Sequence, residues 1–345
     1  MYNIVLTGGG TAGHITPLLT VLPFLEKEFD KIYYVGSGKE IEKTLMKDKN
    51  VEVFNVDAPA FKRFICTDNL LIPVKLLRAV NKCKEFLKKA NPIVIFSKGG
   101  YCSLPVCLAA IQLNIPVVCH ESDFSLGLAN KLVYKKAKLL TTFDSTAKKY
   151  GGICVGPPLN QSNKNLTKKQ ARKIIGIKNN KPVLLVTGGS QGSMLINNAI
   201  WQNLPAILSD FNLIHLYGKN NKCPYNAIND YFAFNFTDMN VCISACDICV
   251  SRGGSNTIFE LLKSKIPSLI VPLKKGSRGD QIKNAKYFCN KKLLLYCDED
   301  DFSSNPINFI KELYIKKELL LSELINYNFT SGSEKIAKIL IDYKR

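Results

Sequence analysis

Histidine is scarce in this 345-residue chain, which holds three of them beside one tryptophan and four methionines. Proton transfer by an imidazole near neutral pH therefore has few candidates. Long apolar runs are missing too. The longest, Leu104 to Cys119, is broken by Gln112 and Asn114; it falls short of the roughly 20 clean residues a spanning helix needs, so any membrane contact is expected to be peripheral. No basic head and small-residue cleavage site opens the chain. Met1-Tyr2-Asn3-Ile4-Val5-Leu6 runs straight into a glycine cluster, which predicts a protein without a secretory signal that stays in the cytoplasm. Acidic residues are outnumbered, 28 against 47 basic ones, and the formal charge of +19 implies an anionic partner such as phosphate, nucleic acid or an acidic membrane surface.

Cysteine is the exception to scarcity, with twelve residues. Scattered singly along a chain with no expected export signal, they read as reduced, small apolar residues. Cys242, Cys246 and Cys249 have a spacing that some iron–sulfur proteins use. They lie in the apolar segment Val241–Val250 entering an expected buried strand, which favours a core role over a cluster.

The composition, 46% hydrophobic and 22% charged with 15 prolines, is that of a globular protein. The length suits two domains. Short β-rich runs alternate with amphipathic stretches: Asn3–Thr7, Lys31–Val35, Val51–Val56, Ile93–Ser97, Val117–His120 and Leu139–Thr142 read as strands. A second series follows at Pro182–Thr187, Phe211–Tyr217, Ile248–Ser251, Ser268–Val271 and Leu293–Tyr296. Such alternation predicts an α/β protein of two doubly wound halves. The boundary is expected in Gly156-Pro-Pro-Leu-Asn160 and the polar run to Gln170, with domains at 1–157 and 163–330. Residues 333–345 form a last helical stretch that can pack on either domain, including back on the first.

Each half places a glycine loop after its first strand. Gly8, Gly10 and Gly13 fit GxGxxG, whose backbone N–H groups can approach a phosphate at a helix start. A dinucleotide enzyme would add a carboxylate at the end of its second strand, and Val35-Gly36-Ser37-Gly38 offers none. His14 follows this loop and is a candidate base, with loop bonding as the alternative. His120-Glu121-Ser122-Asp123 follows another strand, where open α/β sheets face their ligands; Glu121 is a second candidate base, or else caps the next helix.

In the second half Gly188-Gly-Ser-Gln-Gly192 repeats the phosphate-loop logic. Arg252-Gly-Gly-Ser-Asn-Thr-Ile-Phe-Glu260 opens a helix whose N–H groups and dipole suit a diphosphate, with a carboxylate further in for a ribose. Asp280-Gln-Ile-Lys-Asn-Ala285 supplies amides of the kind that bind sugar hydroxyls.

Taken together, Thr7–His14, His120-Glu121, Gly188–Gly192, Ser251–Thr257 with Glu260, and Asp280-Gln281 with Asn284-Ala285 resemble the MurG family, the N-acetylglucosaminyltransferases of peptidoglycan synthesis. The match runs in order over nearly the whole chain. What the resemblance implies is a GT-B fold, two Rossmann-like domains facing across a cleft, and an inverting transfer that uses no metal and no cofactor. The donor would be UDP-N-acetylglucosamine. The acceptor would be lipid I, undecaprenyl-diphosphoryl-N-acetylmuramoyl-pentapeptide, giving lipid II at the cytoplasmic face of the membrane.

Carried over by position, the resemblance gives the diphosphate to Ser190, with Gln191 beside it, and to the helix start Gly254, Ser255, Asn256 and Thr257. Glu260 would take the ribose, the backbone of Phe236 the uracil, and Gln281 with Asn284 the sugar. Thr11, Ala12 and Gly13 would shape the cleft floor, and His14 and Glu121 would lie on the acceptor side. The family usually has an arginine near the donor phosphates where this chain has Asn160; Arg278 or Lys274 is the candidate replacement.

Phe61-Lys-Arg-Phe64 and Leu70–Val80 combine apolar side chains with Lys62, Arg63, Lys75, Arg78 and Lys82. That mixture suits an anionic bilayer surface, and a core helix with a solvated basic face is the alternative. A nucleic-acid partner is not expected, because the positive charge is spread over many helices and no recognised module is present.

Overall fold

Strand β1 (Asn3–Thr7) is five buried residues in a row, the pattern of a parallel strand covered on both faces. Residues 1–59, 71–159, 166–189, 191–275 and 278–345 are described by the computed structural model, in which the side chain of Ala12 is also left out. The chain divides into two compact units, Met1–Gln161 joined by Thr330–Arg345, and Ser162–Phe329.

The first unit holds β1, β2 (Lys31–Gly36), β3 (Glu52–Asn55), β4 (Pro92–Ser97), β5 (Val117–Glu121), β6 (Lys138–Thr141) and β7 (Ile153–Cys154). They form one parallel sheet in the order β3-β2-β1-β4-β5-β6-β7. Alternation sorts the side chains: Ile4, Leu6 and Phe96 enter one core layer, and Val5, Ile95 and Val117 the other. The last helix, Ser333–Ile341, closes the first layer with Ile336, Ala337 and Leu340. Ser333 Oγ donates to Thr20 Oγ1 at 3.0 Å, fastening that helix to the helix Ala12–Leu25.

The second unit repeats the plan with β8 (Val183–Thr187), β9 (Asn212–Leu216), β10 (Tyr231–Phe234), β11 (Ile248–Ser251), β12 (Ser268–Ile270) and β13 (Leu295–Tyr296). Its sheet order is β10-β9-β8-β11-β12-β13, again parallel. In both sheets the order reverses next to the first strand, between β1 and β4 and between β8 and β11. Ligands of open α/β sheets bind at the carboxyl ends of the strands beside such a switch point.

The expected α/β class and the doubly wound halves are what the chain has. Two edge strands, β7 and β10, were not expected. The first is two exposed residues, and the second is half-buried Tyr-Phe-Ala-Phe after a polar stretch, so neither makes the clean apolar run that marks an inner strand.

Candidate functional site

At the switch point of the first sheet three loops meet: Gly8–Gly10 after β1, Lys98–Gly100 after β4, and Ser122–Gly127 after β5. The first two are packed backbone to backbone. A Cβ on Gly8 would lie 2.9 Å from the carbonyl of His14 and from Cβ of Lys98, and one on Gly100 would lie 2.7 Å from the carbonyl of Gly9. Gly10 has φ +93° and lies under the Tyr101 ring, a conformation and a space open only to glycine.

Thr11 precedes the first helix and Gly13 lies in its opening turn, both exposed. His14 stands half-buried above them, with its Nδ1 2.9 Å from the Thr11 hydroxyl. Glu121 is buried and its carboxylate accepts from the backbone N–H groups of Ser122, Asp123 and Gly127 and from the amide of Asn130, at 2.7 to 3.2 Å. Burial pushes its pKa up, and the charge of Lys98 pulls it back. His120 is buried with its Nε2 3.2 Å from the carbonyl of Gly156, and burial holds it neutral, well below the usual imidazole range.

Two charged residues at this edge carried no signal in the sequence. Lys98 is 4% exposed and its ammonium donates to Ser122 Oγ at 2.7 Å; burial lowers its pKa, against the carboxylates of Glu121 and Asp123. Glu42 is 2% exposed and brings a carboxylate to the loop after β2, where none was expected. It sits in the helix Glu40–Met46 and turns back onto Ser37 and Gly38 just before it and onto Gly10 of the loop after β1, a burial that the sequence pattern does not announce.

The second sheet builds its edge the same way. Gly192 and Gly218 are so close that a Cβ on either would strike the other loop's backbone, at 2.0 Å from the Tyr217 carbonyl and 2.4 Å from the Gly192 nitrogen. Ser193 caps the helix Met194–Gln202 and accepts from the Ile196 N–H. Gln191 is exposed, and its Oε1 accepts from the Asn220 amide at 2.9 Å. Ser190 lies outside the described residues.

After β11, Gly254 caps the helix Ser255–Lys263, with φ −66° and ψ 130°. Among the described residues, no atom other than those of its chain neighbours stands within 4 Å of where its Cβ would be. Ser255, Asn256 and Thr257 form the first turn, whose N–H groups point out of the helix start. Glu260 is half-buried in the next turn, and burial pushes its carboxyl up to about 7 while Lys263 pulls it down.

Behind this turn, Arg252 joins three segments: its guanidinium donates to Ser193 Oγ at 2.6 Å and to the Val271 carbonyl at 3.1 Å, and pairs with Glu299 at 2.6 Å. Asn284 is fully buried and donates to the Gly253 carbonyl at 3.1 Å, so it steadies the glycine turn from behind. Gln281 Oε1 accepts from the Leu273 N–H at 2.9 Å. Phe236 follows β10 and is 47% exposed, with Lys219 Nζ 4.1 Å from its ring centre; an ammonium there is drawn to the ring face.

Asn160 lies outside the described residues. Its two candidate replacements are both engaged with carboxylates, Lys274 with Asp300 at 2.5 Å and Arg278 with Asp280 at 3.1 Å. Cys242, Cys246 and Cys249 are all buried, and burial raises each thiol, Cys242 to about 12. They are core thiols, as expected.

Two family models match the chain, the glycosyltransferase family 28 N-terminal domain over residues 4–141 and the family's C-terminal domain over residues 183–339. A UDP-N-acetylglucosamine–N-acetylmuramyl-(pentapeptide) pyrophosphoryl-undecaprenol N-acetylglucosamine transferase from Clostridium botulinum is 37% identical over 99% of the chain and 98% of its own length. The transferase of the same name from Clostridium tetani is 36% identical with the same coverage. Among solved structures, Acinetobacter baumannii MurG superposes with a TM-score of 0.72 at 20% identity, covering 99% of this chain and all of that one.

Proposed function

This chain belongs to glycosyltransferase family 28, among the N-acetylmuramyl-(pentapeptide) pyrophosphoryl-undecaprenol N-acetylglucosamine transferases, and we propose that it makes lipid II. N-acetylglucosamine passes from UDP-N-acetylglucosamine to the 4-hydroxyl of the muramoyl sugar of lipid I. The acceptor oxygen bonds to the anomeric carbon as the bond to the diphosphate breaks; UDP leaves and configuration inverts.

The observation that carries this function is the helix start Gly254–Thr257 at the second sheet's switch point, with Glu260 in the following turn. Converging N–H groups and a helix dipole stabilise the negative charge that builds on the leaving diphosphate. Glu260 is spaced to accept from the ribose hydroxyls. Arg252 holds the two loops of this edge in register from behind.

On the first unit, Glu121 already accepts four N–H bonds, which supports His14 as the base that takes the 4-hydroxyl proton. In the tautomer in which Nδ1–H donates to Thr11 Oγ1, the lone pair on Nε2 is the one that accepts it. Glu121 keeps its part as the residue that shapes the loop after β5.

A membrane-facing surface completes the proposal. The helix Ile72–Ala90 buries Ile72, Ala79, Val80, Cys83 and Leu87, while Leu71, Val74 and Leu77 are 55%, 49% and 61% exposed beside exposed Lys75 and Arg78. Apolar side chains ringed by cations suit an anionic leaflet. Phe61 to Phe64 and Leu70 lie outside the described residues. No helix among the described residues is long and apolar enough to cross a membrane.

The test is incubation of the chain with labelled UDP-N-acetylglucosamine and a lipid I analogue, with and without a chelator. Transfer insensitive to the chelator is expected, and absence of transfer would remove the proposal.

A further inference from the structure

The first glycine loop looks in sequence like a cradle for a phosphate, and the structure fills it with a carboxylate from the same chain. Glu42 Oε1 accepts from the Gly10 N–H at 2.9 Å and from the Ser37 hydroxyl at 2.6 Å. Its Oε2 accepts from the N–H groups of Ser37 at 2.6 Å and Gly38 at 2.9 Å. The side chain is 2% exposed, and among the described residues no cation pairs with it within 4 Å. A buried carboxylate held only by converging N–H and O–H dipoles is in the setting a phosphate oxygen meets in a glycine-rich loop.

The glycines are shaped to this guest. A Cβ on Gly9 would come 2.7 Å from Glu42 Oε1, and one on Gly36 would come 2.3 Å from Oε2. Gly10 donates to the carboxylate with φ +93° and stands directly before Thr11, where the first helix and His14 begin. Glu42 thus ties the loop after β1 to the loop after β2, and the tie passes through the residue that sets the direction of Thr11.

We propose that Glu42 is the resident anion of this loop: it denies the first unit's glycine loop to the sugar nucleotide and positions Thr11 to His14 toward the acceptor. This rests on the transferase function above, in which the donor belongs to the second unit. Glu42 touches neither substrate, so it is a positioning residue and acts through Gly10.

Two variants of the full chain, Glu42→Gln and Glu42→Ala, test it, each with donor and lipid I analogue varied separately and with UDP binding measured by calorimetry. Glutamine keeps the shape but sets an NH2 group against one of the N–H donors. Alanine empties the site. A lost tether of this kind is expected to lower kcat/KM for the acceptor about a hundredfold in both variants, with the donor KM and UDP affinity unchanged. Sodium formate, but not sodium chloride at equal ionic strength, is expected to restore Glu42→Ala and leave Glu42→Gln unrestored, because only the alanine leaves room for a small carboxylate.

Wild-type acceptor kinetics in Glu42→Gln would overturn the proposal. So would a defect in Glu42→Ala that formate leaves untouched, or a parallel loss of UDP binding, either of which marks a merely structural role. Failure of the unaltered chain to transfer sugar would instead strike the proposed function.

Discussion

Arg252 and Glu299 form an ion pair of 2.6 Å in which both side chains are about one-tenth exposed, at 10% and 9%. The same guanidinium reaches Ser193 and the Val271 carbonyl, so one charge sets the spacing between the loops after β8, β11 and β12. Removing one partner of a buried pair strands the other, at a cost of about 3–5 kcal/mol, whereas replacing both with apolar residues is often neutral. Arg252→Met is therefore expected to lower the urea midpoint strongly, and the added Glu299→Leu to recover most of it. Donor affinity should fall in both, because neither restores the bridge to Ser193. Urea titration and UDP calorimetry on the two variants check this, and recovery of UDP binding in the double variant would show that the pair is structural only.

Glu260 gives the donor step a pH dependence. Burial pushes its carboxyl up to about 7, so below that value the free protein carries it protonated, and above it ionised. An ionised carboxylate accepts two hydroxyl bonds, each charge-assisted and worth about 1.5–3 kcal/mol. The donor kcat/KM is expected to rise as pH passes through about 7 and then level off. Glu260→Gln should flatten that rise and lower the plateau. The stability sign is opposite: the folded pKa lies above the ordinary carboxyl value, so this group's contribution is intact at low pH and is lost as pH rises through about 7. A donor profile that keeps its rise in Glu260→Gln would assign the titration to another group.

The inner strands were legible because each is an apolar run bounded by turn residues; β1 and β11 fall where the sequence puts them. The two glycine loops were legible for the same reason, since Gly8–Gly10 and Gly188–Gly192 follow such runs directly. Glu42, Lys98 and Arg252 were not. A buried ion looks in sequence like a surface one, and its burial depends on partners that a linear reading does not pair with it: Gly10 as well as nearby Ser37 and Gly38 for Glu42, Ser122 for Lys98, Glu299 for Arg252. Asn284 shows the converse. Its place beside Gln281 suggested a sugar contact, yet the helix turns Asn284 inward to the Gly253 carbonyl. Spacing on a helix gives the face, but only packing says what that face meets.

Lys98 makes a prediction about charge inside the first unit. Its ammonium is buried beside Ser122, and its field lowers the Glu121 carboxyl that burial raises. Lys98→Met keeps the apolar stem and deletes the charge, so the Glu121 pKa should climb further above its unfolded value. A carboxyl raised on folding costs stability as pH rises past its unfolded pKa. The deficit of the variant in urea is therefore expected to grow between about pH 5 and pH 8, reaching on the order of 3 kcal/mol at the upper end. Stability curves of variant and parent that run parallel over this range would show that Lys98 and Glu121 do not sense each other.

The exposed face of the helix Ile72–Ala90 separates two explanations of the same sequence. Leu71, Val74 and Leu77 share their surface with Lys75 and Arg78, while the opposite face is spent on the core. If the cations were there only to keep a core helix solvated, reversing them would leave membrane binding alone. At an anionic leaflet each basic residue contributes about 1 kcal/mol, so Lys75→Glu with Arg78→Glu should weaken sedimentation with phosphatidylserine vesicles by at least about thirtyfold. Binding to neutral vesicles and turnover of a water-soluble acceptor should be unchanged, since both side chains are exposed on this helix and are not among the proposed site residues. Equal binding of parent and variant to anionic vesicles would leave the apolar trio without a membrane role.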